Sequence, residues 1–164
     1  MKRSDMKLVR IVLPTVFLFL FSCATTQPKQ DESRDAKFYN NRGATYGEKG
    51  QYDQAVSDFN KAIEMNPLDA EAYNNLAWLF ATARAPGFRN GRRAVALALR
   101  ACELSDWKKG EYLDTLAASY ARTGDFDNAV KWQEKALEQS KSARPPEFQE
   151  RLNLYRERKA WPPD

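Results

Sequence analysis

Residues 36–69 read AKFYNNRGATYGEKGQYDQAVSDFNKAIEMNPLD, and the spacing inside this stretch decides the fold. Tyr39, Arg42, Gly43 and Tyr46 fall at i, i+3, i+4 and i+7, and Ala55, Phe59, Ala62 and Ile63 at i, i+4, i+7 and i+8, so each set lines one face of a helix. Gly50 ends the first helix, which runs from Ala36 to about Lys49, and Asp53 is placed to cap the second. Asn66-Pro67 stops that helix and Asp69 caps the next. Gly43 falls where the two helices come closest, and the missing β-carbon permits that approach. Such a helix pair cannot bury its apolar side alone, so it is built to stack.

The same beat returns at Tyr73-x2-Leu76-Ala77-x2-Phe80, and again at Leu113-x2-Leu116-Ala117-x2-Tyr120 with Ala129, Gln133 and Ala136 behind it. Period and spacing together resemble the tetratricopeptide repeat. The resemblance implies an all-α fold, an α-solenoid of three helix-turn-helix repeats over residues 36–69, 70–109 and 110–143, closed by a capping helix over 145–160. The second repeat departs from the pattern, because Ala94, Ala98 and Ala101 arrive five residues late. The segment Arg84 to Gly91, with its Pro, Gly and Asn, accounts for the excess and is expected to bulge from one edge. Gln133 stands where the first repeat has Phe59, so looser packing is expected there. In the last helix Phe148, Leu152 and Tyr155 form one apolar stripe, as an end cap requires.

Ahead of the repeats, Lys2, Arg3, Lys7 and Arg10 precede an apolar run from Ile11 to Phe21, the layout of an export signal and too short to span a membrane comfortably. Leu20-Phe21-Ser22-Cys23 resembles the lipobox of bacterial lipoproteins. The resemblance implies a signal peptide over 1–22, cleavage before Cys23 and acylation of that cysteine with chains such as palmitate; the alternative is an uncleaved N-terminal anchor. Ala24 in place of an aspartate implies the outer membrane, facing the periplasm. Residues 23–35 are polar without periodicity and read as a flexible tether.

Loss of residues 1–22 lowers the formal charge from +4 to +1, so the basicity belongs mostly to the leader and argues against a nucleic-acid partner. With Cys23 committed to lipid, Cys102 has no cysteine to pair with and reads as a small core residue. The chain has no histidine, the usual general base and commonest metal ligand. No phosphate-cradling glycine loop is present either, so the expectation is a protein without catalytic residues, metal, cofactor or small-molecule substrate.

In the family resembled, the first helix of each repeat lines a concave groove that takes an extended peptide or a partner's helix. Carried over, the groove is lined by Asn40, Asn41 and Ala44 from the first repeat, then Asn74, Asn75, Trp78 and Thr82, then Asp114 and Arg122. The repeated Tyr-Asn-Asn at 39–41 and 73–75 offers carboxamides that hydrogen-bond a peptide backbone, and Trp78 an aromatic anchor; the alternative is that the asparagines are solvated and Trp78 is partly packed against the neighbouring helix. Asn40 and Thr115 stand where relatives that grip a C-terminal carboxylate carry cations, which disfavours that ligand. Between Glu71 and Glu103 there is no acidic residue, while Arg84, Arg89, Arg92 and Arg93 form a basic cluster that either meets an anionic partner or is a solvated face. The expected function is a protein-binding adaptor of the bacterial envelope. The alternative is a structural assembly or pilot lipoprotein that uses the convex face and the arginine loop.

Overall fold

The structure is a computed structural model that describes residues 35–140 and 145–163. The signal peptide, Cys23 and the tether up to residue 34 lie outside the described residues, as do 141–144. Among the described residues the chain is all helical, with α1 (Ala36–Glu48), α2 (Tyr52–Met65), α3 (Ala70–Thr82), α4 (Gly91–Leu104), α5 (Gly110–Thr123), α6 (Phe126–Gln139) and α7 (Pro146–Arg156). Each odd-numbered helix packs on the even-numbered helix after it, each even-numbered helix packs on the next odd one, and α3 touches both α1 and α5. This is an α-solenoid of three helix pairs ending in α7.

Small residues set the spacing of the stack. Ala55, Ala62, Ala94, Ala98, Ala101, Ala129 and Ala136 on the even-numbered helices are all fully buried. Phe59, Leu76, Phe80, Leu116 and Tyr155 fill the space between them. At Gly43 a β-carbon would stand 2.9 Å from the Phe59 ring, so the close approach read from the sequence is real. Gly50 has φ +74, the left-handed conformation that ends α1 at low cost for glycine.

Four expectations are corrected. Asp53 does not cap α2, which starts at Tyr52 behind Gln51; Asp53 lies in the first turn, where its charge favours the helix N-terminus. The arginine-rich insertion does not simply protrude. A 3₁₀ turn over Pro86–Phe88 folds it back, with Phe88 against Tyr52 (5.1 Å between centroids) and the Asn90 N–H donating to the Phe80 carbonyl (2.8 Å). Tyr52 belongs to the first helix pair, so the insertion staples two neighbouring units. Gln133 is not a loose site: it is fully buried, and its Nε2 donates to Asp114 Oδ1 (2.7 Å) and to the Phe148 carbonyl (3.1 Å). The last helix ends at Arg156 rather than 160, and the residues after it turn back to meet Arg122 of α5.

Candidate functional site

The odd-numbered helices form the face that is concave in a tetratricopeptide array, and its two halves differ. Beside the C-terminal ends of α1 and α3 lies an open cleft of about 480 Å³, lined by Ala44, Gly47, Asn75, Trp78, Leu79 and Thr82 among others. The exposed Glu48, Lys49 and Arg84 also border it. Four of the residues expected in the groove therefore converge on one cavity. Each is carried there by helical periodicity: Asn75, Trp78 and Thr82 are three or four residues apart on α3. The Thr82 hydroxyl donates to the Trp78 carbonyl (2.8 Å), so it faces a ligand as an acceptor.

The asparagine pairs behave differently from expectation. Asn75 Nδ2 donates to Asn40 Oδ1 (3.0 Å), and Asn40 is only 2% exposed, so this pair stitches α1 to α3 instead of waiting for a ligand. Asn41 is exposed. Asn74 Oδ1 is buried with no hydrogen-bond partner among the described residues, at a cost of about 1–3 kcal/mol for a desolvated acceptor.

The other half of the face is occupied by the chain itself. Asp114 is 4% exposed and receives a two-pronged salt bridge from Arg151 of α7, Nε to Oδ1 at 2.8 Å and Nη2 to Oδ2 at 2.9 Å. Burial pushes the Asp114 carboxyl up from its usual value, opposed by Arg151 and Gln133. Arg151 also lies over the rings of Trp78 (5.4 Å) and Phe148 (5.3 Å), so one guanidinium joins α7 to α3 and α5. Arg122 donates through Nε to the Ala81 carbonyl (2.9 Å) and through Nη2 to the carbonyls of Trp161 (3.0 Å) and Pro162 (2.9 Å). Asp114 is thus unavailable to a ligand, and Arg122 is engaged with the C-terminal tail. Neither Arg151 nor Trp161 was expected from the sequence. The signal for Arg151 was its register: it sits between Phe148 and Leu152 in the apolar stripe, where a charge demands a buried partner.

The arginine cluster is also split. Arg84, Arg92 and Arg93 are exposed, the last with its guanidinium over the Phe80 ring (4.4 Å), whereas the half-buried Arg89 donates through Nε to the Ala83 carbonyl (2.7 Å). Arg89 thus pins the insertion to the end of α3, and Arg93 helps to pack α4 on α3. Cys102 is fully buried, and burial pushes its thiol up to about 12, which fits a core residue.

Helix pairs in register, small residues at each crossing and a groove-forming face define a helical-repeat solenoid. Models of the tetratricopeptide repeat match residues 36–68, 59–92 and 111–142, which together make up more than half of the chain, and the chain belongs to the tetratricopeptide repeat proteins. The second match runs from α2 through α3 and ends in the insertion, so α4, displaced by that insertion, falls almost wholly outside all three. An uncharacterized protein of Methanocaldococcus jannaschii is 41% identical over 44 residues, 27% of this chain and 51% of that protein. The chain therefore spans about half the length of this curated relative. Tetratricopeptide repeats generally mediate protein–protein interaction, and proteins built from them are typically non-catalytic adaptors.

Proposed function

We propose that the protein is an adaptor of the bacterial cell envelope that holds an extended segment of a protein partner in the cleft between α1 and α3. The observation that carries this reading is the convergence of Ala44, Asn75, Trp78 and Thr82 on an open cavity of about 480 Å³ on the groove face. Its mixed lining suits a peptide, with the Trp78 ring for an apolar side chain and the Thr82 oxygen for a backbone N–H. A contact of this size is smaller than a standard interface of roughly 800 Å² per partner, so affinity in the micromolar range is expected. In the same proposal Cys23 carries the lipid, and the polar stretch after it tethers the solenoid to the outer membrane on its periplasmic side.

Filling the cleft tests the reading. Thr82→Trp adds bulk to the cavity without removing a core side chain, and is expected to weaken partner recovery from crosslinked cells at least tenfold with helicity by circular dichroism unchanged. Full recovery by this variant would contradict the assignment. Cys23→Ser belongs in the same assay: it is expected to abolish incorporation of labelled palmitate, and undiminished labelling would refute the lipid anchor at Cys23.

A further inference from the structure

The groove is half filled by its own chain, and the manner of filling points to a function. After α7, Arg158 adopts a left-handed backbone (φ 57) and the tail turns back toward the ends of α3 and α5. There the Arg122 guanidinium meets two successive backbone carbonyls, those of Trp161 and Pro162. One nitrogen reaches two successive carbonyls because the chain bends at residues 161 and 162, so this contact reads a bent backbone rather than one particular side chain. Trp161 is half-buried on the same face, its ring 5.9 Å from the Arg151 guanidinium that also covers Trp78. Ala160 and Trp161 pack against the core of the array, whereas the ion pair of Arg158 with Asp127 at 3.7 Å is exposed and adds little.

The position matters as much as the contacts. Arg122 bridges the tail to the Ala81 carbonyl, and the next two residues, Thr82 and Ala83, line the open cleft. Tail and cleft are consecutive along one groove. We propose that Ala160–Pro163 is an intramolecular ligand: it exchanges with a partner segment that bends in the same way and bears an aromatic residue followed by proline, and so gates the half of the groove next to the cleft. The proposal rests on the groove being a peptide-binding surface and adds the chemistry of the segment and its internal competitor.

A labelled peptide Lys-Ala-Trp-Pro-Pro-Asp, the sequence of residues 159–164, is the probe. It is titrated against the detergent-solubilised full chain and the full-chain variant Trp161→Ala, followed by fluorescence anisotropy. A tethered competitor acts at roughly millimolar effective concentration, so Trp161→Ala is expected to bind the peptide about tenfold or more tightly than the wild type. Arg122→Ala added to Trp161→Ala should abolish that gain. Equal affinity for the two chains, or no binding to either, overturns the proposal. Should Trp161→Ala unfold, the wild type decides alone: excess peptide is expected to move the Trp161 indole N–H resonance to its position in the free peptide, and an unmoved resonance overturns the exchange. Thr82→Trp fills the cleft and leaves the tail's contacts in place, so failure of the cleft assignment and failure of the exchange are read separately.

Discussion

Asp114 stands on the groove face of α5 yet serves the fold. Its carboxylate takes both prongs of Arg151 and the amide of Gln133, and all three side chains are buried. Removing one member of a buried pair strands the other charge, so Asp114→Ala is expected to cost about 3–5 kcal/mol, measured by urea denaturation. Combining it with Arg151→Met should recover most of that loss; a double variant as unstable as Asp114→Ala would show that the pair does not act as a unit. The sequence placed Asp114 and Gln133 at the correct register but not their partner, because Arg151 is 37 residues from Asp114 and the order of packing after the Pro145-Pro146 break is not periodic. The asparagines teach the same lesson: periodicity aligned Asn40 and Asn75 on one face, while their mutual hydrogen bond depends on the distance between two helices.

At the scale of elements, starts and stops were largely legible because capping chemistry is local. Asp69, read as a cap, accepts backbone N–H groups at the start of α3, and Asp35, Asn90 and Asp125, which were not singled out, accept one each at their own helix starts. Asp53 misled because the second helix begins one residue before it. The insertion before α4 was legible as extra length, and its folding back was not, since that rests on Phe88 meeting Tyr52 of another unit. Asp125 carries a consequence for pH. Bonds from the Asn128 side chain and backbone N–H hold its carboxyl below the usual carboxylate range. A depressed folded value means the stabilisation is complete above the unfolded value and disappears as pH falls through the folded one. Asp125→Ala is therefore expected to lower stability by about 1 kcal/mol at neutral pH. In acid, once pH passes below the folded value, its melting temperature should converge on that of the wild type; a constant gap across the titration would refute the cap.

For the whole molecule, a repeat of 34 residues specifies a solenoid and a groove, and the departures from it make this groove particular. The insertion staples the first two units, α7 closes the third through Arg151, and the tail fills the groove beside Arg122. Only the tail left no trace in the periodicity, because residues past α7 repeat nothing that precedes them. What remains open is the cleft at Asn75, Trp78 and Thr82, and the central claim is that a protein segment binds there. Site-specific photocrosslinking in intact cells tests this most directly, with the photoreactive residue placed at Thr82 and, for comparison, at the exposed Glu64 of α2. The account predicts a discrete crosslinked partner from position 82 that is absent from position 64. Crosslinks of equal yield from both positions, or from position 64 alone, would contradict it.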